Sequence, residues 1–330
     1  PGRQGGGQSS RRQVWILFLV IACGTWSIAD GVADEVTYAT SSDGGASRVA
    51  KGTVLDFNGQ SLVLRTESGG EQRIPADRVL AIETTKTAPQ RAAEAALENK
   101  DFGKAAEQYL AAFREERRAW VQRQIMAAYI ECLVNSGNPE RACVGFQALV
   151  QRDPETPYFA SIPLRWTPYQ PTPEFQREAI TWLQDRENSL TALLGASWLL
   201  STGQRAAAVQ ALERLSIDPD SRVVQLAQAQ LWRTRLVSAG AEDVGDLRNL
   251  IDRMPSTLRG GPYFLLGRLL ARQGDSQSAA LAFLRVPILY PRDHQLAADA
   301  LLSAGRELER IGQTGEAATL YREVAQEYPA

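Results

Sequence analysis

The sequence predicts a mostly α-helical protein, an α-solenoid preceded by a small β-barrel module. Two stretches near the C-terminus align at an offset of 38 residues, with small, aromatic and helix-ending residues at matching positions. A repeat of this length is typical of stacked helical hairpins, which bury their apolar faces against one another. Earlier, residues 34–86 contain short alternating segments separated by turn residues, a pattern typical of a small barrel. The composition, 44% hydrophobic and 22% charged, is that of a globular protein.

Residues 1–33 predict an export signal or membrane anchor. Arg11 and Arg12 precede an apolar run over residues 14–22, and small residues suited to cleavage follow. Cys23 ends a lipobox-like sequence and is the residue that lipidation would modify. Cleavage, lipidation and an uncleaved anchor stay open as alternatives, although the apolar run is shorter than the roughly 20 residues of a spanning helix. We expect membrane association only through this segment.

The β pattern begins after a stretch, residues 34–47, that predicts a leader with a flexible loop. Asn58-Gly59 predicts a hairpin, because both residues tolerate positive φ. A second turn is expected at residues 67–70. Strands are predicted at residues 48–57, 62–64, 72–74 and 78–82.

This module resembles small barrels of the SH3-like and Sm-like kind. The resemblance lies in Gly52-Thr53-Val54, in Ile74-Pro75 and in the run from Val79 to Ile82. It implies a docking or oligomerisation module. Residues 34–86 contain eight acidic and six basic residues, and the whole chain has a net charge of −2, so nucleic-acid binding has no electrostatic support.

Residues 87–156 predict two helical hairpins. Small residues such as Ala92 and Ala105 recur at helical spacing, with a turn at residues 99–101 between them. The second hairpin turns at residues 135–139 and has apolar residues on both sides of that turn.

Residues 257–330 predict two well-formed hairpins, which resemble tetratricopeptide (TPR) repeats. That family places Leu-Gly in the first helix, Gly at the turn, Ala and an aromatic residue in the second helix, and Pro at the exit. The matching residues are Leu266, Gly267, Gly274, Ala279, Phe283 and Pro291, and again Ala304, Gly305, Gly312, Ala317, Tyr321 and Pro329. Residues 87–156 follow the pattern more loosely. The last pair also resembles the repeats of periplasmic cell-division coordinators and outer-membrane assembly lipoproteins.

Residues 157–256 predict a Pro-rich insertion followed by degenerate helical repeats. Six prolines between residues 154 and 173 hold the chain extended, since proline restricts itself and the residue before it. Trp166 and Tyr169 lie among them and are secondary candidates for ligand contact, although covering a solenoid edge is the alternative that we favour. The stretch 207–232 fits a HEAT-like hairpin as well as a TPR-like one.

The candidate binding residues come from the 38-residue register. Arg268 and Arg272 are four apart and therefore share a helix face, and Arg306 and Arg310 are their equivalents one repeat later. In the TPR family the first helix of each hairpin lines the concave groove, so the resemblance implies a basic strip that binds an acidic segment or a C-terminal carboxylate. Solvated arginines, partly neutralised by Glu307 and Glu309, are the simpler interpretation. The predicted partner-binding residues are Phe264, Arg268, Arg272, Leu302, Arg306 and Arg310.

The sequence predicts no catalytic, cofactor-binding or metal-binding residue. His294 is the single histidine and is expected to be a surface residue, and no cysteine–histidine cluster has zinc spacing. Cys132 and Cys143 lie on either side of a predicted turn, where buried free thiols and a disulfide are both open.

Taken together, these patterns predict an exported TPR scaffold that mediates protein–protein interaction in the periplasm or cell envelope. We expect it not to be an enzyme. A cell-wall or glycan-binding protein that uses Trp166 and Tyr169 is the first alternative, and an enzyme whose site is not visible in the sequence is the second.

Overall fold

The computed structural model describes residues 33–41, 46–236, 238, 240 and 242–328. Within them, five strands precede thirteen α-helices. The strands are β1 (Asp34–Ala39), β2 (Ser47–Phe57), β3 (Ser61–Thr66), β4 (Glu71–Pro75) and β5 (Val79–Glu83). The helices are α1 (Ala88–Glu98), α2 (Phe102–Glu115), α3 (Ala119–Asn135), α4 (Pro139–Arg152), α5 (Pro173–Gln184), α6 (Ser189–Leu199), α7 (Arg205–Leu215), α8 (Ser221–Arg235), α9 (Glu242–Arg253), α10 (Gly260–Arg272), α11 (Ser276–Leu289), α12 (His294–Arg310) and α13 (Thr314–Glu327).

The predicted small β module is confirmed as a five-stranded antiparallel sheet with the order β4-β3-β2-β1-β5. The long strand β2 pairs with β1 through residues 47–52 and with β3 through residues 52–57. Gly52 lies where the two pairings meet, and a Cβ there would lie 2.1 Å from the carbonyl oxygen of Arg65. A glycine is therefore required at this point of the strand. The core of the sheet consists of Val36, Val54, Phe57, Leu62, Leu64 and Ile74.

The prediction that residues 34–47 form a leader was wrong. Asp34–Ala39 is the strand β1, which pairs with β2 on one side and with β5 on the other. Val36 is fully buried, because this strand lies inside the sheet rather than at its edge. The amide of Thr40 donates to the carbonyl of Ala46 over 3.0 Å and so closes the β1–β2 hairpin, while residues 42–45 lie outside the described chain.

The predicted Asn58-Gly59 hairpin is confirmed, but for a different physical reason. Neither residue adopts positive φ. The Asn58 side chain instead accepts from the amides of Gln60 (2.9 Å) and Ser61 (3.1 Å), as Asx turns do. A Cβ on Gly59 would lie 1.7 Å from the carbonyl oxygen of Glu155. Gly59 therefore permits a close approach between the sheet and the segment that follows α4.

The helices form hairpins whose tight turns share one geometry. Gly274 and Gly312, at equivalent positions of the two C-terminal hairpins, both have φ of 81°. Gly137 has φ of 74° between α3 and α4, and Lys100 has φ of 58° between α1 and α2. A residue in this left-handed conformation ends the first helix, and glycine adopts it at no steric cost. The helical hairpin arrangement that the 38-residue register predicts is therefore confirmed.

The sheet is attached firmly to the helices through α3 and the residues just before it. Trp120 Nε1 donates to the carbonyl of Val54 over 3.2 Å, and Arg123 Nη2 donates to the carbonyl of Phe57 over 2.6 Å. Arg118 reaches the carbonyl of Thr85 over 2.7 Å from the same side. The sheet and the first helical hairpins thus form one body.

The last hairpin contacts the first two. Asn135, at the end of α3, donates from Nδ2 to the carbonyl of Arg292 over 2.8 Å and accepts from the amide of His294 over 2.9 Å. Lys100 Nζ donates to the carbonyl of Glu327 over 2.8 Å and pairs with its carboxylate. The helical array therefore closes on itself.

No helix among the described residues is long and apolar enough to cross a membrane. Residues 1–32 of the predicted export segment, including Cys23, lie outside the described residues.

Candidate partner-binding site

Four helices form the inner row of the array. α6, α8, α10 and α12 follow one another as neighbours, and we call them the inner helices. The Pro-rich segment, residues 154–173, lies against this row. Trp198 Nε1 on α6 donates to the carbonyl of Pro163 over 2.9 Å, and Gln230 Nε2 on α8 donates to the carbonyl of Arg165 over 3.1 Å. The segment thus has the covering role that the sequence predicts, but it covers inner helices rather than a solenoid edge.

Trp166 and Tyr169 are packed rather than presented to solvent. Trp166 is 8% exposed and its indole lies on α10, where a Cβ on Gly261 would come within 1.9 Å of the ring. Tyr169 is half-buried and meets Trp198 edge-on at a ring distance of 5.2 Å. Trp166 therefore offers no open stacking face, while Tyr169 is partly accessible beside Arg165, whose guanidinium lies 4.9 Å from the centre of its ring.

Arg233 holds the Pro-rich segment to the inner helices. Its Nη1 donates to the carbonyls of Arg165 (2.9 Å) and Ser197 (2.8 Å) and to the side-chain oxygen of Gln230 (2.7 Å). Burial, followed by the positive charges of Arg165, Arg268 and Arg205, lowers the pKa of Arg233 to about 9. A guanidinium bonded to neutral groups and surrounded by like charge is an unusual arrangement.

Arg268 is another of the arginines near Arg233. Its side chain is exposed, and within the described residues it makes no hydrogen bond or ion pair. Burial by the surrounding helices nevertheless lowers its pKa. Arg268 is therefore accessible to solvent although helices surround part of its side chain.

Arg165 and Arg205 complete what we call the inner arginine cluster, Arg165, Arg205, Arg233 and Arg268. Arg165 Nη1 donates to Gln295 Oε1 over 2.8 Å, while its Nε is buried without a partner. Burial lowers the pKa of Arg165, and the carboxylates of Asp293 and Asp299 oppose that shift. No member of the cluster makes an ion pair with a carboxylate in the described part of the chain.

The predicted binding residues divide into three groups. Phe264 is 4% exposed and its ring packs against Phe283 at 5.6 Å, so the prediction that it lines an open groove was wrong. Arg310 is paired with Glu307 over 2.7 Å, the neutralisation that the simpler interpretation expects. The remaining predicted residues are accessible in part or in full: Leu302 is half-buried, and Arg268, Arg272 and Arg306 are exposed.

The 38-residue register makes Arg306 the equivalent of Arg268, but Arg306 has a carboxylate, Asp299, near it. Burial raises the pKa of Asp299, and Arg165 and Arg306 lower it, so both arginines lie near this carboxylate. Glu309, expected to neutralise an arginine, instead accepts from the hydroxyl of Tyr321 over 2.9 Å. Of the predicted arginines, the structure brings only Arg268 into the inner arginine cluster.

Sequence reasoning missed Arg165, Arg205 and Arg233. They belong to the Pro-rich segment and the degenerate hairpins, where the 38-residue register fails. Arg233 precedes Arg268 by 35 residues, so a search that allowed the repeat to shorten would have found it. The position of Arg165 depends on how an extended segment crosses the helices, which the sequence does not specify.

The other reactive side chains have packing roles. His294 lies between the rings of Phe102 (4.6 Å) and Tyr328 (5.4 Å), and burial followed by the charge of Lys100 lowers its pKa. Cys132 and Cys143 are free and buried, so no disulfide joins them. No group of three or more potential ligand side chains capable of holding a metal ion occurs among the residues that the structure describes.

Comparison with known families identifies the last hairpin. Residues 299–330 match the family model of the tetratricopeptide repeat. The match covers most of α12 together with α13. No curated protein matches the chain.

Proposed function

We propose that this protein is an interaction scaffold whose inner helices bind an acidic segment of a partner protein. The observation that carries the proposal is the inner arginine cluster, in which Arg233 bonds to the carbonyl of Arg165, Arg205 bonds to the carbonyl of Thr234 beside Arg233, and no member makes a carboxylate ion pair in the described chain. The tetratricopeptide repeat at residues 299–330 supports a protein partner. The proposal assigns no catalytic reaction to the chain.

The physical reason lies in the cost of holding like charges together. Arg165, Arg205 and Arg268 each make the charged form of Arg233 less favourable. A carboxylate bound among them would remove that cost, and the planar guanidinium of Arg268 can hold a carboxylate through two parallel hydrogen bonds.

We also propose that the scaffold acts in the periplasm or at the cell envelope. This part rests on the sequence of residues 1–33, where arginines precede an apolar run and small residues. Expression of the full chain, with fractionation and mass determination of its N-terminus, tests it. Recovery of an unprocessed chain in the cytoplasmic fraction would contradict export.

A crosslinking pull-down from envelope fractions tests the scaffold itself. We compare the wild-type protein with Arg268→Glu and with Arg322→Glu, a control at an exposed arginine of α13. Charge reversal in the cluster should abolish capture of a partner that the control still captures. Capture of the same partner by Arg268→Glu at wild-type yield would contradict binding at the inner helices.

A further inference from the structure

A cavity lies beside the inner arginine cluster. Its volume is about 510 Å³, it is open to solvent on one side, and it is lined by the Pro-rich segment, the inner helices and the link between α11 and α12. Ligand pockets in proteins measure roughly 300–1,000 Å³. The cavity is therefore large enough for a bulky side chain of another molecule.

The walls of the cavity are mainly apolar and aromatic. The main apolar lining residues are Trp166, Trp198, Leu226, Leu258, Leu289 and Leu296. All of these except Leu289 are buried, and Leu289 is 59% exposed. Thr257, which also lines the cavity, is exposed as well. Together with Ser256, Pro291 and Arg292, which also line the cavity and are exposed, these two residues mark its mouth.

Among the charged residues that line the cavity, Arg165 differs from the others in having a buried donor atom with no hydrogen-bond partner in the described chain. Arg292 pairs with Glu131 over 3.2 Å, and Asp293 accepts from the amide of Leu296 over 2.9 Å as the N-cap of α12. Arg165 makes no ion pair in the described residues, and its Nε is buried without a partner. Arg165 also belongs to the inner arginine cluster, so a positive charge adjoins the apolar cavity, with the carboxylates of Asp293 and Asp299 near it.

We propose that the cavity receives a large apolar side chain of the same partner segment whose carboxylates bind the inner arginine cluster. The inference rests on the proposed function and adds a specificity determinant to it. The partner segment would carry an aromatic or large aliphatic residue next to acidic residues. Interfaces commonly draw most of their affinity from such a buried residue, while the charged contacts set orientation.

Two labelled peptides test the inference by fluorescence anisotropy. Both are short and rich in glutamate, and they differ only at a central position that holds phenylalanine in one and alanine in the other. Burial of the phenylalanine ring should make the first peptide bind roughly tenfold to a hundredfold more tightly to the wild-type protein.

Variants at the mouth of the cavity test whether the phenylalanine ring binds in the cavity. Thr257→Trp and Leu289→Trp each place a large ring at an exposed position of the mouth, where folding is least at risk. Both should bring the affinity for the phenylalanine peptide down to that for the alanine peptide. Ile288→Trp is the matched control, because Ile288 is 71% exposed, adjoins Leu289 and does not line the cavity. It should keep the preference.

Three results would overturn the inference in distinguishable ways. Equal binding of both peptides to the wild-type protein, with loss of binding in Arg268→Glu, would exclude the cavity and leave the proposed function standing. A preference retained in both mouth variants would place the phenylalanine site elsewhere. Failure of both peptides to bind would exclude the acidic-segment function together with the cavity.

Discussion

In each of the two C-terminal hairpins, a glycine determines how closely the two helices pack. A Cβ on Gly267 would lie 2.6 Å from the Phe283 ring, and one on Gly305 would lie 2.4 Å from the Tyr321 ring. The glycine in the first helix is therefore needed to make room for the aromatic ring of the second helix. Phe283 is almost fully buried, so its ring cannot move aside cheaply.

Substitution of the first of these glycines should destabilise the fold. We expect Gly267→Ala to lower the free energy of unfolding by about 1–3 kcal/mol through overpacking against Phe283. Gly245→Ala is the matched control, since Gly245 lies in helix α9 with no atom within 4 Å of its Cβ position. It should raise stability by about 0.5–1 kcal/mol. Urea titrations that gave the two variants shifts of the same sign would contradict this account.

The two buried cysteines give a second prediction at the residue scale. Burial raises the pKa of Cys132 to about 12 and that of Cys143 well above its ordinary value. Little thiolate is present at neutral pH, and the thiolate is the reactive form. In a Cys23→Ser background, an aromatic disulfide reagent should label both thiols only after unfolding in guanidinium. Rapid labelling of the native protein would contradict the burial of these residues.

At the scale of elements, the junction between the sheet and the helices depends on Arg118. Its guanidinium bonds to Glu116 through Nε (3.0 Å) and Nη2 (2.8 Å), and to Thr84 through Nη1 (2.6 Å). Burial alone would raise the pKa of Glu116, but the hydrogen bonds from Arg118 outweigh it, so the pKa is lowered. A carboxylate with a lowered pKa stabilises the fold above its unfolded pKa, and that contribution is lost as the pH falls through the folded value.

Removal of this arginine should therefore have a pH-dependent effect. We expect Arg118→Met to cost about 2–3 kcal/mol at neutral pH, because it removes the cation from the buried Glu116 carboxylate and leaves it only the amides of Arg117 and residue 118. Below the pKa of Glu116 the difference from wild type should shrink, since a protonated Glu116 needs no cation. Arg117→Met, at the exposed neighbouring residue, is the control and should change stability little. A cost that stayed constant with pH would exclude the ion pair as its cause.

The elements were predictable wherever turn chemistry and periodicity agreed. Gly137, Gly274 and Gly312 end helices at the predicted turns, and Thr172 caps α5 through the amide of Phe175 over 3.2 Å. β1 was missed because it is short and begins with two acidic residues, Asp34 and Glu35, whose role depends on pairing with distant β2 and β5. The inner arginine cluster was missed for a related reason, since Arg165 and Arg233 meet only through tertiary packing.

At the scale of the whole molecule, the array closes through contacts between its first and last hairpins. Asn135 bonds to both sides of the α11–α12 link, at Arg292 and at His294. We expect Asn135→Ala to speed hydrogen exchange at the His294 amide by roughly tenfold, because that amide loses its acceptor. Asn138→Ala is the control, since the Asn138 side chain bonds only within its own turn, to Ser136. Equal exchange in both variants would show that this contact does not form in solution.

Closure also shapes the binding surface. The Pro-rich segment covers part of the inner helices. A partner that binds there would therefore contact both inner helices and extended chain, rather than a groove formed by helices alone. Arg165 and Trp166, which the segment contributes, take part in the cluster and the cavity respectively. The degenerate middle of the sequence therefore supplies much of the candidate site.

The most direct test of the central claim is a calorimetric titration of a glutamate-rich peptide into the wild-type protein, Arg268→Glu and Arg322→Glu at low ionic strength. If the inner arginine cluster is the binding site, reversal of the charge at Arg268 should weaken the affinity at least roughly tenfold, while the exposed control on α13 should bind as wild type does. Equal affinity of all three proteins would contradict the claim.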